Sequence, residues 1–252
     1  MRRIGIAVLA VVFLAVAGCA TRPADPDLAR QFDEINDPWE PVNRGIFAFN
    51  GVLDAAVVKP LAVGYRFITP QFVRTGVSNF FENLRTPMYL ANDLMQADGA
   101  KACDSLRRLL VNTTIGVGGL FDPASHWDIP KKDNDFGRTL AVWGVERGPY
   151  FVRPFFGAST IRDAAGWGVD LFLIPTDYLI LDQPEIYWSK AALYNISERE
   201  QAIEFIENLQ RSSTDMYVTV RSLYLQNRTK EIAAARGEKS APGYAFEFDT
   251  DD

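Results

Sequence analysis

The sequence predicts a mainly α-helical fold. Segments with apolar residues at helical spacing and recognisable helix starts recur along the chain, and no alternating run is long enough for a sheet of several strands. With 252 residues and 48% hydrophobic content, the chain can bury a sizeable core as one folded unit.

The N-terminal residues come first in that organisation. Arg2 and Arg3 precede an apolar stretch from Ile4 to Val16, and the small residues Ala17 and Gly18 stand before Cys19. This is the pattern of an export signal, and the stretch is short of the roughly 20 apolar residues that a membrane-spanning helix needs. Val16-Ala17-Gly18-Cys19 resembles a lipobox, so residues 1–18 are expected to be removed and Cys19 to carry acyl chains as a lipid anchor. Losing Arg2 and Arg3 takes the formal charge of −6 two units further negative. Nucleic acid and electrostatic adhesion to anionic lipid are therefore poor candidates for partners, and membrane contact should be apolar. Once Cys19 is lipidated, Cys103 is the only thiol left, so no internal disulfide can form.

Residues 19–36, polar and with two prolines, read as a flexible tether, and the folded domain is expected over 37–236, opening at Asp37-Pro38-Trp39. From Phe47 to Phe81 the chain is rich in Phe, Val, Ala and Gly, and Pro60 and Pro70 divide it. Thr86-Pro87 reads as a helix start leading to about Ala97. Lys101 to Ile115 carries Leu106, Leu109, Leu110 and Thr113 at helical spacing, and glycines at 116, 118 and 119 end it. Glycine and proline are dense over 142–157, predicting an ordered, non-helical connection lined by Trp143, Tyr150, Phe151, Phe155 and Phe156. Residues 167–181 are strongly apolar, but Asp170, Pro175 and Asp177 forbid a straight span; they form either a core helix or an interfacial segment with Trp167 and Tyr178 at headgroup depth. Ser197-x-x-Glu200 and Ser212-x-x-Asp215 read as capping boxes before two further helices. The acidic, aromatic residues 237–252 are either a disordered tail or a docking element for a basic partner.

Chemistry-bearing motifs are sparse. His126 is the only histidine, which removes Ser-His-Asp and Cys-His nucleophile systems and any metal site with two imidazoles. Cys103 lies beside Asp104, which disfavours a reactive thiolate. Gly116-Val117-Gly118-Gly119 follows a helix and lacks the third glycine of a dinucleotide fingerprint. No metal or cofactor is expected, and an enzyme is not the reading these residues favour.

Several stretches occur in a telling order: the run from Asp37 through Pro38, Trp39, Glu40 and Asn43 to Phe49-Asn50, Gly76-Val77-Ser78-Asn79-Phe80 with Asn83-Leu84, and the run from Asn112 to Asp122. Asp135-Phe136-Gly137-Arg138-Thr139-Leu140, Gly148-Pro149-Tyr150 and Pro154-Phe155-Phe156-Gly157 before Arg162-Asp163 continue the series. Over about residues 37 to 225 these stretches resemble the MlaA (VacJ) family of outer-membrane phospholipid-transport lipoproteins. The resemblance implies a ring of short, partly membrane-interfacial helices around a central amphipathic channel, in the periplasmic leaflet of the outer membrane. It implies partners as well: phospholipid as transported ligand, a trimeric outer-membrane porin, and a soluble periplasmic lipid carrier. Mislocalised phospholipid would leave the outer leaflet without an enzymatic step. Glu146-Arg147 departs from the glycine that family members can have there.

Candidate channel or gate residues follow from that implication. Phe47, Phe49 and Val52, beside Asn50-Gly51, form a movable gate or, equally well, pack in the core. Gly144 and Gly148 would supply backbone bends beside it, and Trp143, Tyr150, Phe155 and Phe156 would line the passage. Arg162 and Asp163 are expected to pair structurally. The rival readings are a lipid-anchored scaffold that buries the same apolar residues as an ordinary core, and a lipid-cleaving enzyme with an unusual serine device.

Overall fold

The computed structural model describes Asp25, residues 35–180 and residues 182–238. Cys19 and the signal segment, the side chain of Tyr178, nearly all of the tether and most of the acidic tail lie outside the described residues.

The domain is mainly helical. Helix α1 (Glu40–Leu53) starts with proline in its first turn, where the missing N–H is not needed, and runs through a π-turn (Asp54–Val58) into α2 (Lys59–Ile68). Pro60 cannot donate to the turn before it, and the widened π-turn takes up that break without ending the helix. The result is one apolar helix from Glu40 to Ile68 of 29 residues, with only 6% of its most apolar window buried. Helix α3 (Gln71–Met95) follows, then α4 (Gly99–Thr114), the single turn α5 (Pro123–His126) and α6 (Phe136–Val142). Strands β1 (Tyr150–Arg153) and β2 (Gly157–Thr160) form an antiparallel hairpin with Tyr150 opposite Thr160 and Arg153 opposite Gly157. Helices α7 (Ile161–Asp170), α8 (Pro175–Leu179), α9 (Pro184–Gln201), α10 (Ile203–Ser212) and α11 (Met216–Ala235) complete the chain.

Packing neighbours close a circuit. The α1–π–α2 helix packs on α9, α9 on α3, α3 on α6, α6 on α11, α11 on β2, and β1 returns to α1. This matches the expected ring-like, mainly helical order, with the refinement that α3 and the Glu40–Ile68 helix are long.

Three local expectations are corrected. Thr86-Pro87 lies inside α3, where the Thr86 hydroxyl donates to the Glu82 carbonyl at 3.0 Å instead of capping a new helix. Ser197 and Glu200 lie inside α9, because Glu200 is an ion-pair acceptor for Arg66 and Arg74. Asp215 does cap α11, accepting from the Val218 amide at 3.2 Å, but Ser212 ends α10 and donates back to the Asn208 carbonyl at 3.0 Å. Helix α4 is present as expected, with its faces reversed. Leu106 and Leu110 point outward, while Ala102, Ser105, Arg108 and Asn112 are buried.

That reversal is general. Among the described residues, buried polar and charged side chains outnumber buried apolar ones, while large apolar side chains are exposed along α1–π–α2, on α3 and around α7. The interior is held by hydrogen-bonded charge. Asp93 accepts from Ser105 at 2.6 Å and Asn134 at 2.7 Å. Asp170 accepts from Asn92 at 3.0 Å and from the Phe136 amide. Asp135 takes Arg228 at 2.5 Å. Asp135 meets an arginine, while Asp93 and Asp170 are held by neutral donors, which offset part of their desolvation. Helices α6 and α7 cross closely: a Cβ on Gly166 would stand 2.3 Å from the Gly137 nitrogen, so only glycine permits this approach.

Candidate functional site

The site is built where the β-hairpin meets α1. Residues 154–156 form its turn, with Phe155 at φ 68° and Gly157 at φ 77°. A bulky side chain at positive φ is strained, and such strain persists only where neighbours fix it. Asn50 supplies that fixing: its Oδ1 accepts from the Phe155 amide at 2.8 Å and its Nδ2 donates to the Arg153 carbonyl at 3.0 Å. The Phe49 ring meets Phe155 edge-on at 5.6 Å. Phe49, Val52, Phe155 and Phe156 are all more than half exposed, so this junction is an apolar surface.

Two anchors hold the junction. Asp37, 2% exposed, accepts from Asn43 at 2.7 Å and from Tyr217 and Arg221 at 2.5 Å, joining the start of α1 to α11. Asn43 also accepts from the Val152 amide at 3.0 Å, which ties α1 to β1. At the other end Asp54, in the π-turn, takes both Arg199 Nε at 2.7 Å and Nη2 at 2.9 Å, and Arg66 bonds Glu200 at 2.7 Å. The polar edge of the long helix is thereby fixed to α9, and its apolar edge, with Val57, Leu61, Val63, Phe67 and Ile68, stays exposed.

The structure divides the sequence candidates. Phe49 and Phe155 meet at the hairpin junction, Val52 follows one helical turn after Phe49, and Phe156 packs on Trp167 at 4.9 Å. Phe47 packs partly buried against Tyr217 at 5.6 Å. Tyr150 is corrected: at 1% exposure it is a core residue with Val152 and Tyr217, because strand alternation turns positions 150 and 152 inward. Trp143 stands apart, edge-on to Phe136 and donating to the Met95 carbonyl at 3.1 Å. Gly144 and Gly148 have φ of 91° and 66°, the bends expected of them, and line a cleft of about 490 Å³ with Glu146, Arg147, Arg162, Arg228 and Arg236. That cleft is amphipathic, with Val145, Leu225, Ile232 and Ala233 beside those charges, and none of the aromatics expected as lining takes part in it. The apolar segment 167–181 is no core helix: Phe172 and Leu179 are largely exposed.

Arg162 and Asp163 pair at 2.9 Å as expected. Asp163 also takes Arg228 at 3.0 Å and the Tyr224 hydroxyl at 2.5 Å. Burial pushes the Asp163 carboxyl up, but Arg228 and Tyr224 outweigh it and hold the group below its ordinary range. Asp170 is the opposite case. Burial lifts its pKa to about 6, against the lowering effect of the Phe136 amide and Asn92.

Sequence reasoning missed Asn50 as a clamp, Asp37 as an anchor, and Arg153. The first two stand in the quoted family runs without any property of their own that marks them. A charge in the aromatic stretch 150–156 was the available signal for Arg153.

Comparison with known proteins agrees with this architecture. The MlaA lipoprotein family model matches residues 35–231. The MlaA lipoprotein of the intermembrane phospholipid transport system of Escherichia coli is 34% identical over 229 residues, 89% of this chain and 87% of its own length. Its Haemophilus influenzae counterpart is 32% identical, covering 85% and 84%. An uncharacterized Rickettsia typhi protein is 38% identical over 79% of this chain and 78% of its own. A solved structure, from work on the structural basis for maintenance of bacterial outer membrane lipid asymmetry, superposes with a TM-score of 0.68 at 32% identity, covering 79% of this chain and 98% of the other. With a family match over residues 35–231 and relatives more than 30% identical over most of its length, this chain belongs to the MlaA lipoprotein family.

Proposed function

We propose that this protein is an outer-membrane lipoprotein, anchored in the periplasmic leaflet by acyl chains on Cys19, that removes mislocalised phospholipid from the outer leaflet. Phospholipid passes through an amphipathic channel within the ring to a soluble periplasmic carrier, and a trimeric porin holds the ring in place. No enzymatic step is involved. The observation that carries the reading is the reversed distribution of polarity: charged, hydrogen-bonded groups inside and exposed aliphatic and aromatic side chains on the 29-residue helix. In water such a surface is unfavourable at roughly 25 cal/mol per Å², whereas in a leaflet it costs nothing.

A phospholipid has apolar chains and a charged head, so its passage needs an apolar wall beside a polar one. Phe49, Val52, Phe155 and Phe156 are the wall we assign, with the Asn50 clamp setting the position of the hairpin tip. Donor and acceptor both hold lipid, so transfer exchanges similar environments and draws on no nucleotide. The named activity of the Escherichia coli and Haemophilus influenzae relatives supports the assignment.

Purification of the lipidated protein from membranes tests it. Phospholipid and a porin should accompany the protein, and it should stay detergent-dependent after the acyl chains are removed. A lipid-free, freely water-soluble protein after delipidation would point to the scaffold reading instead.

A further inference from the structure

The guanidinium of Arg153 is a charge on the hairpin for which the circuit of ion pairs among the described residues supplies no partner. Its Nε and Nη1 are buried and meet no hydrogen-bond acceptor among the described residues. Its close neighbours are two rings, Trp167 at 5.2 Å and Phe156 at 5.7 Å, themselves 4.9 Å apart. Asp163, whose charge reaches it, is already committed to Arg162, Arg228 and Tyr224. Burial lowers the Arg153 pKa, yet a guanidinium keeps its proton under any working condition and cannot escape by neutralising. A cation held among rings without an acceptor is a standing demand for an anion with a fork-matching pair of oxygens.

We propose that Arg153 is the headgroup site of the conduit, its guanidinium binding the phosphodiester of a phospholipid while the Phe155 and Phe156 rings receive the apolar part. This rests on the phospholipid-handling reading and adds to it the position where the phosphate is recognised. The surroundings favour a lipid phosphate over a free one: Phe155 and Phe156 are 68% and 56% exposed, and Trp167, an amphipathic ring, packs 4.9 Å from Phe156. Strand alternation places Arg153 on the opposite face of β1 from the Tyr150–Val152 core, so it can re-aim toward a ligand without opening that core. The Asn50 bond to its carbonyl fixes the backbone from which it swings.

The test uses full-length lipidated protein in mixed micelles containing phosphatidylethanolamine, phosphatidylglycerol or diacylglycerol, with bound lipid counted by native mass spectrometry and inorganic phosphate as a competitor. Arg153→Leu should lower phospholipid occupancy by roughly tenfold or more, in keeping with a charge-assisted fork, and leave diacylglycerol unchanged. Arg153→Lys, a charge without the fork, should fall between. Helical melting of each variant reports folding. Equal phospholipid occupancy in Arg153→Leu and the parent protein overturns the proposal. So does parallel loss of phospholipid and diacylglycerol with a lowered melt, which is a structural role. Displacement of lipid by inorganic phosphate at matching affinity assigns the site to a free anion and also overturns it. If the parent protein retains neither lipid class, the conduit reading itself falls, and the flat parent titration identifies that case.

Discussion

Removing the Asp37 carboxylate should open the ring at the point where α1 meets α11. Asp37→Ala deletes three charge-assisted or buried bonds at once, to Asn43, Tyr217 and Arg221, and leaves Arg221, 7% exposed at its side chain, inside the protein. Breaking a buried pair by removing one partner costs about 3–5 kcal/mol, mostly from the charge left behind. The lower end applies here, because Arg221 keeps Glu40 at 2.9 Å, a carboxylate that water partly reaches. A loss of about 3 kcal/mol should lower the melting temperature of a domain of this size by about 6–12 °C. Melting should be followed by circular dichroism in one non-ionic detergent, with Arg221→Met and the double variant completing a cycle. The double variant should recover at least about 1 kcal/mol, since no unpaired charge remains. A shift for Asp37→Ala under about 2 °C, or strict additivity in the cycle, would refute the claim that this buried carboxylate closes the circuit.

Three further outcomes follow from the same geometry. Gly166→Ala should destabilise the α6–α7 crossing by several kcal/mol, because its Cβ would stand 2.3 Å from the Gly137 nitrogen, backbone that cannot rotate away; a melt within 2 °C of the parent would contradict this. Asp170, with its pKa lifted to about 6, binds its proton more readily folded than unfolded, so its contribution to stability is present at acid pH and is lost as pH rises through about 6. That penalty at neutral pH is at most about 3 kcal/mol, and Asp170→Asn should flatten stability against pH between roughly 4 and 6; an unchanged slope would remove Asp170 as its source. Asn50→Leu deletes both bonds that hold the strained Phe155 tip, so it should alter phospholipid transfer to a soluble carrier while costing only about 1–2 kcal/mol of stability. Unaltered transfer would remove Asn50 from the gate.

The helical class, the α4 helix over 99–114, the irregular aromatic connection and the Arg162–Asp163 pair were legible because each rests on local chemistry: spacing, glycine and proline density, adjacent opposite charges. What failed did so for separate physical reasons. The rule that an apolar stripe marks the inner face assumes water outside, and in α4 it selected Leu106 and Leu110, which are exposed, over Ser105, Arg108 and Asn112, which are buried. Tyr150 failed differently: grouping it with its aromatic neighbours as lining overlooks strand alternation, which turns it into the core. Ser197-x-x-Glu200 gave a false helix start because long-range partners override a local signal, Glu200 being spent on Arg66 and Arg74 more than 100 residues distant along the chain, whereas Thr86 turns its hydroxyl back to the Glu82 carbonyl inside α3. The π-turn at Asp54 has a local cause in Pro60, but its fixing by Arg199 depends on a contact 145 residues away.

These failures bear on how the chain keeps one fold while its surface prefers lipid. Inside a leaflet, burial of apolar side chains against one another gains little over contact with acyl chains, so hydrophobic packing cannot by itself select a ring over a looser bundle. Selection then has to come from contacts that lipid cannot imitate, and the buried network has that character: Asp37 with Tyr217 and Arg221, Asp54 with Arg199, Asp135 and Asp163 with Arg228, each joining elements far apart in sequence. Each is directional, and each leaves a costly unpaired charge if the circuit opens at its junction. Arg153 stands outside this logic. Its guanidinium lies by the Trp167 and Phe156 rings, with no acceptor for Nε and Nη1 among the described residues, so it closes no junction of the ring and the lipid phosphate proposed for it is the partner it lacks.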